Sequence, residues 1–349
     1  MLNDPASLLS LYPPPWNHPF FPLEEQSVGW SGGAVWRVRS GGREGALRRW
    51  PDSFPLIRIQ VIHAAQGHAR KNDCRFVPQV IHTNDGSDLI TREGSHWELV
   101  EWMPGEPADR KAVSQDQLGA AAVAMAKWHM AFSRPNSPIE LNQLGCPEVI
   151  TAFRSQQSVP SPAIARRLSE WKRLAPFIEN GGGTSHFSDL RFLTERTRRL
   201  LAGVHHSYLQ LSRWEKRPVE MVLSLPDLHR EHVLFSDAKV SGIIDLGGMT
   251  IDTPALDIAR YAGSFDARFR SLHEIIHMMT ESYRTVRALD EFSDVLINSI
   301  ARVSALVGAM HWCEWLTTTT RIPLQRRDAA IRRWEELVQQ VERWCDDGM

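Results

Sequence analysis

The chain has 349 residues, long for one compact core, so two lobes or domains are the default expectation. Hydrophobic residues make up 42% and charged residues 23%, the balance of an ordinary globular protein, and a formal net charge of -1 argues against a general nucleic-acid or anionic-membrane binder. Four widely spaced cysteines form no CxxC pair, the N-terminus lacks the basic and apolar regions of a secretory signal, and no uninterrupted apolar run approaches the roughly 18 residues that span a bilayer. The expectation is a soluble protein of a reducing cytoplasm, with no nucleic-acid or membrane partner.

In chain order, the proline-rich run YPPPWNHPFFP at 12–22 suits neither helix nor central strand, and residues 1–24 read as an extended N-terminal arm. Strand signals then dominate from Val28 to Met103. SVGW and VWRVRS flank Ser31-Gly32-Gly33, a hairpin-type connection, and Gly41-Gly42 turns the chain into EGALRRW. Within LIRIQVIHAAQGHAR, residues 56–70, Ile59, Ile62, Ala65 and Ala69 recur at helical spacing. FVPQVIHT and HWELVEWM supply two more strands around the turn NDGSD. Residues 25–103 are therefore expected to form a small β-rich lobe with one helix.

Beyond Met103-Pro104-Gly105 the pattern becomes helical, and residues 104–349 are expected to form a larger helical lobe. DQLGAAAVAMAKWHMAF places Leu118, Ala122, Met125, His129 and Phe132 near one face. Further helices are predicted over 162–178, 190–213, 254–265, 267–288, 290–318 and 325–345, with Gly181-Gly182-Gly183 marking a loop. The fold class is thus α+β and bilobal.

One stretch interrupts the helices: LSLPDLHREHVLFSDAKVSGIIDLGG, residues 223–248. Val233-Leu234-Phe235 and Val240 to Ile244 read as short strands joined by a turn at Ser236-Asp237-Ala238-Lys239. Asp227 and His232 precede the first strand and Asp245 follows the second. A hairpin folds its ends together, so these side chains should lie side by side. Two carboxylates so placed suit phosphoryl transfer. One orients and deprotonates an acceptor hydroxyl, while the other holds Mg²⁺ bridging nucleotide phosphates.

Here the sequence resembles the aminoglycoside phosphotransferase and choline kinase branch of the protein-kinase-like superfamily, whose HGDxxxxN loop, hairpin and IDF or IDW segment correspond to this stretch. The resemblance extends over most of residues 25–270. It implies Asp227 as catalytic base, Asp245 as principal metal ligand, and His232 at the position of the second, metal-binding asparagine. Leu256-Asp257-Ile258-Ala259 matches the DLA that follows in the family, with Asp257 implied to hold the catalytic-loop backbone. Gly32 and Gly33 fall in the nucleotide-covering loop, Arg48 at the phosphate-binding lysine, and Glu101-Trp102-Met103 at the hinge lining the nucleotide cleft. The implied cofactors are ATP and Mg²⁺, with Mn²⁺ the alternative, and the implied partner is a small-molecule acceptor.

Departures from the family pattern concern chemistry more than fold. The usual HG before the aspartate is Leu225-Pro226, and proline fixes φ near about −65°. Imidazole at His232 favours softer metals than Mg²⁺. Arginine at 48, or at 49 if the strand slips by one residue, stays charged and grips phosphate bidentately. No acid lies between Asp52 and Asp73, so Arg48 is expected to contact the phosphates without an acidic orienter, Gln60 and His63 being the nearby polar candidates.

The expected function is ATP-dependent phosphorylation of a small-molecule hydroxyl. An alternative of another class is a pseudokinase-like nucleotide or ligand-binding module without turnover, motivated by the substitutions at 225, 232 and 48. A remote alternative is a zinc hydrolase, since HEIIH at 273–277 satisfies HExxH, with His273 and His277 as ligands and Glu274 as base. Glu314 in the C-terminal helices is a candidate for holding a cationic acceptor.

Overall fold

The computed structural model describes residues 5–18, 23–28, 32–133, 141–182, 190–265, 270–290, 293–318, 322 and 326–346. An antiparallel sheet opens the chain, with strands β1 (Glu24–Val28), β2 (Ala34–Ser40), β3 (Arg43–Arg49), β4 (Val80–Ile81), β5 (Ile90–Arg92) and β6 (Ser95–Glu101). Its order is β1-β2-β3-β6-β4, with β5 also paired to β6. Alternation along the strands gives the sheet two different faces. Val38, Leu47 and Leu99 point to one side, where they pack with Leu8, Leu9, Tyr12 and Trp16. The other side receives α1 (Leu56–Lys71), whose Ile59, Ile62, Ala65 and Ala69 belong to the main core of the molecule.

The N-terminal arm is not extended over its described part. Residues Pro5–Leu11 coil into a 3-10 helix, and the prolines that follow continue as turns. Leu8, Tyr12 and Trp16 recur every four residues, so a coiled path delivers all three to the open face of the sheet, where an extended one would send them apart. Burial of that apolar area decides the conformation. Residues 19–22 of the arm lie outside the described residues.

The helical region contains α2 (Gln115–Ala131), α3 (Pro147–Ser155), α4 (Pro162–Glu179), α5 (Arg191–Ser212), α6 (Ala255–Ala262), α7 (Leu272–Arg284), α8 (Ser293–Thr318) and α9 (Arg327–Asp346). Only α3 went unsignalled in the sequence. Gly181 and Gly182 end α4 with positive φ, and Gly183 lies outside the described residues. α8 is long and apolar enough to cross a membrane by composition, but most of that stretch is buried inside the fold. It packs against α4, α5, α6, α7 and α9 through Ile300, Val303, Leu306 and Met310, which makes it the central helix of this region.

Two small sheets lie beyond the β region. β7 (Glu106–Pro107) pairs with β9 (Val233–Ser236), which pairs with β10 (Lys239–Ile243), while β8 (Val222–Ser224) pairs with β11 (Thr250–Asp252). The segment leaving β6 therefore runs directly over the hairpin. Gly242 lies so close that a Cβ there would sit 2.6 Å from Cβ of Met103. Gly105 has φ +96°, and a Cβ on it would fall 2.4 Å from the carbonyl oxygen of Phe235 and from Oγ of Ser241.

Gly105→Ala is accordingly expected to lower unfolding free energy by about 3 kcal/mol, from left-handed backbone strain plus steric conflict. Gly86→Ala, at φ +83° with open space around it, should cost about 1 kcal/mol from strain alone. Urea denaturation of both variants is the check, and equal losses would contradict the close approach as a constraint.

Candidate active site

The hairpin closes as its sequence suggests. Val240 pairs with Phe235 and Ile243 with Val233, with a bulge between Val240 and Gly242. Beyond the last pair, the Ile244 amide donates to the His232 carbonyl at 2.9 Å. Asp245 is thereby set next to His232, with its Oδ2 3.8 Å from Nε2. The His232 ring makes a second contact, Nδ1 to the Asp227 carbonyl at 2.9 Å. A carbonyl only accepts, so Nδ1 carries the hydrogen, and Nε2 is the ring nitrogen that faces Asp245. Gly248 approaches from the other side, where a Cβ would sit 3.3 Å from Cβ of Asp227. Asp227, His232 and Asp245 are therefore brought together from three places in the chain.

Asp245 has φ +57° and ψ +62°, a left-handed conformation that costs a non-glycine residue about 1–2 kcal/mol. Its neighbours hold it there. Burial would raise its pKa, but the charges of Arg48 and His232, with hydrogen bonds from Arg48 and the Gly247 amide, keep it below the ordinary carboxylate range.

The loop carrying Asp227 lacks the glycine of the family pattern and is held by burial and by one carboxylate. Leu225 is in the core, and Asp257 on α6 accepts from the Leu225 amide at 2.8 Å and from the Ser224 hydroxyl. Its Oδ2 also lies 3.0 Å from Nε2 of His129, whose Nδ1 meets the Tyr283 hydroxyl at 2.8 Å. Asp257 and His129 are fully buried, and each has its polar atoms matched, as burial requires. The brace runs from α7 through α2 to the loop.

Arg48 does not act without acidic partners, contrary to the expectation from the helix sequence. Its Nη2 donates to Asp245 Oδ1 at 2.9 Å, and its Nη1 lies 4.0 Å from Glu98 Oε1. The guanidinium also stacks on Trp50, 3.8 Å from the ring centroid. Glu98 stands directly opposite Arg48 across the β3–β6 ladder, and it is hydrogen-bonded in turn by Nε2 of His63 on α1. The acid has thus moved from the helix to the strand, and a histidine occupies the helix. Burial would raise the Glu98 pKa, but the hydrogen bond and charge of His63, and then Arg48, hold it below the usual range. Arg49, the alternative register, instead reaches the Gly32 carbonyl at 3.3 Å. Arg58 ties α1 to the segment after Asp245 by donating to the carbonyl of Met249.

Gly32 has φ +88° with open space around it, and Gly33 lies against the Arg49 carbonyl. Ser31 lies outside the described residues. At the hinge, the Glu101 side chain pairs with Arg70 of α1 at 2.9 Å, and the Trp102 amide donates to the Glu44 carbonyl at 3.1 Å. Arg37 covers the Trp102 ring at 4.6 Å. Met103 is buried against the hairpin. Glu101 and Trp102 thus have structural partners already.

Beside the Asp227 loop lies a cavity of about 360 Å³, between residues 229–231, α4, α6, α8 and α9. Arg260 of α6 lines it and also donates from Nη2 to Asp227 Oδ1 at 3.0 Å. His229 lines it too, with its ring 3.8 Å from that of His232; burial first, then the positive charge of His232 and nearby arginines, pushes its pKa down to about 2. Glu98, Arg260 and this cavity were not read from the sequence. The one available signal was Glu98, an acid alternating with Trp97 and Leu99 in an apolar strand.

The HEIIH segment has another use. Glu274 closes the capping box of α7 with Ser271, and His273 and His277 are exposed. Among the described residues no group of three or more histidine, cysteine, aspartate or glutamate side chains converges as a metal site.

A model of the phosphotransferase enzyme family (APH) matches residues 23–292, and the chain belongs to that family. Comparison with curated proteins gives no significant match. Among solved structures the chain is similar to a spectinomycin phosphotransferase in complex with ADP and spectinomycin, at 13% identity and TM-score 0.65, covering 92% of each chain. It is also similar to a microcompartment-associated aminopropanol kinase, at 16% identity and TM-score 0.63, covering 98% of this chain and 97% of that one. A third is an amicoumacin kinase in complex with AMP-PNP, Ca²⁺ and Ami, at 12% identity and TM-score 0.59, covering 96% of this chain and 91% of that one. At these identities the likeness establishes the fold, the bilobal kinase-like α+β architecture.

Glu98→Gln should destabilise the protein by about 3 kcal/mol at pH 7, because it strips a buried partner from His63 and Arg48. The depressed Glu98 pKa means that its contribution is fully present above the unfolded-state value of about 4 and is lost as pH falls through the lower folded value. Urea titrations should show a gap between wild type and variant that is flat above about pH 5 and narrows below about pH 4. A gap undiminished at pH 3 would contradict the paired-charge account.

Proposed function

We propose that the protein transfers the γ-phosphate of ATP to a hydroxyl group of a small molecule. The observation that carries this reading is the convergence of Asp227, His232 and Asp245, with Arg48 bonded to Asp245 across the cleft. Family membership supports phosphotransfer in general, and neighbours solved with ADP and AMP-PNP support a nucleotide donor.

Asp227, exposed at the loop, is assigned as the base that orients the acceptor hydroxyl and takes its proton. Arg48 and the Gly32-Gly33 backbone are assigned to the phosphates, where a guanidinium and amide groups neutralise charge on oxygen. Glu101, Trp102 and Met103 are assigned to the adenine side of the cleft on the strength of their hinge position after β6. Asp245 and His232 fit a divalent cation, Mg²⁺ or Mn²⁺: a carboxylate oxygen and an imidazole nitrogen face each other 3.8 Å apart. Two protein donors suit a metal whose remaining ligands are phosphate oxygens and water. Such a cation, when bound, supplies charge stabilisation at the phosphates.

A second reading draws on a specific observation. Both carboxylates are engaged by arginines, Asp245 by Arg48 and Asp227 by Arg260. A module that binds nucleotide or ligand without turnover would tolerate this, whereas an enzyme must release both contacts when its substrates bind.

ADP release in the presence of acceptor should fall at least about a hundred-fold in Asp227→Asn, with ATP affinity within about three-fold of wild type. Asp245→Ala should lose metal-dependent ATP binding in calorimetry, and His232→Asn should shift the preference from Mn²⁺ toward Mg²⁺. ATP binding with no Asp227-dependent ADP release would favour the second reading.

A further inference from the structure

We propose that the acceptor is an anion: a small hydroxyl compound bearing a carboxylate or phosphate group, held in the arginine-lined cavity beside Asp227. The inference rests on the phosphotransferase reading and names its substrate class. Five arginines, Arg110, Arg167, Arg230, Arg260 and Arg333, line the cavity against two carboxylates, Glu231 and Glu336.

The pairings leave positive charge over. Glu231 is engaged by Arg230, and Glu336 is shared between Arg333 at 2.8 Å and Arg110 at 3.8 Å. Arg260 pairs with Asp227. Arg167 has no carboxylate within ion-pair distance among the described residues. Its Nε donates to the Ser304 hydroxyl at 2.6 Å and its Nη1 to the Ala163 carbonyl at 3.1 Å, both neutral acceptors. Asp252, the acid that acts on it from further away, caps α4 through Ser161 and the Ala163 amide. Burial draws the Arg167 pKa down to about 10, so it remains cationic at neutral pH.

A guanidinium set in a recess without a counter-charge is a site for an oxyanion, which it binds through paired N–H groups. The opposite charge is unwelcome there. Glu314, the acid that the sequence offered for a cationic acceptor, is instead bonded to Arg173. Ile300, Ala305 and Leu337, with Trp312 and Trp315, give the cavity an apolar side for the carbon frame. Its volume of about 360 Å³ suits a compact molecule.

Arg260 connects the anion to the chemistry, because one guanidinium both lines the cavity and touches Asp227. An acceptor anion that draws Arg260 toward itself releases the Asp227 carboxylate for the hydroxyl. In the transfer, the bond from Pγ to the bridging oxygen of ADP breaks and a bond forms from the acceptor oxygen to Pγ. The hydroxyl proton passes to Asp227, and ADP leaves with the electron pair of the broken bond.

The test uses the purified full chain and hydroxyl compounds matched in size. Carboxylates are glycerate and gluconate, phosphates are glycerol 3-phosphate and glucose 6-phosphate, ammonium compounds are aminopropanol and glucosamine, and neutral controls are glycerol and glucose. Calorimetric binding without nucleotide reads the cavity alone, and ADP release with ATP and metal reads turnover. At least one anionic probe should bind ten-fold or more tightly than its ammonium and neutral counterparts, and the carboxylate and phosphate arms identify which oxyanion is used. Arg167→Gln should raise the acceptor Kd at least ten-fold, with partial rescue in Arg167→Lys; Arg333→Gln, at a half-exposed position, gives the same readout if Arg167 variants do not fold. Anion binding without ADP release would uphold the cavity assignment while removing the phosphotransferase reading. Preferential binding or turnover of ammonium compounds, or no anionic binding by folded protein, would overturn the proposal.

Discussion

A chain of ion pairs and hydrogen bonds, Asp245 to Arg48 to Glu98 to His63, ties the β region to the segment after the hairpin. Each member answers a need of the one before it. Asp245 sits in a left-handed conformation with a pKa held below the ordinary range, and Arg48 supplies much of the charge that keeps it ionised. Arg48 is drawn along the β3–β6 ladder by Glu98, and Glu98, almost wholly buried, requires His63 to avoid an uncompensated charge. Because these residues come from β3, β6, α1 and the segment after the hairpin, the chain sets where the two regions meet. Arg58 reinforces the same boundary from α1.

A second buried carboxylate governs the other side of the loop. Asp257 fixes the backbone at Leu225 and Ser224, and His129 and Tyr283 carry that constraint into α2 and α7. The loss of a flexible glycine at 226 is therefore tolerable: the loop is fixed by matched hydrogen bonds and by burial of Leu225 rather than by conformational freedom. What lies beyond Asp227 differs in character from what lies before it. The cleft side is built around Asp245 and its partner Arg48, and the cavity side around five arginines. Asp227, bonded to Arg260, stands between them.

Much of the fold was legible in the sequence. Apolar spacing marks α1, α2 and the long C-terminal helices, since 3.6-residue periodicity is a local property of a chain that must bury one face. The hairpin at 233–243 was legible as well, and with it the juxtaposition of Asp227, His232 and Asp245, because a hairpin necessarily brings its two ends together. The positions of Arg48 and Asp257 could be inferred from motif order. The coiled path of residues 5–11 could not: prolines speak against an extended helix, but only the open face of the sheet decides that Leu8, Tyr12 and Trp16 must be delivered to it together.

The sequence by itself determined the order of the main elements apart from α3 and the N-terminal coil, the family, and the roster of acidic and basic groups around the hairpin. Tertiary structure alone decided which charges meet. Glu98 and His63 are 35 positions apart, Arg48 and Asp245 are 197 apart, and Arg260 reaches Asp227 across 33. No local pattern encodes such pairings, because they depend on strand register and on the packing of helices from distant parts of the chain. The cavity follows the same logic: its five arginines are scattered from 110 to 333 in the sequence, and they become a single electrostatic feature only when α4, α6, α8 and α9 close around them.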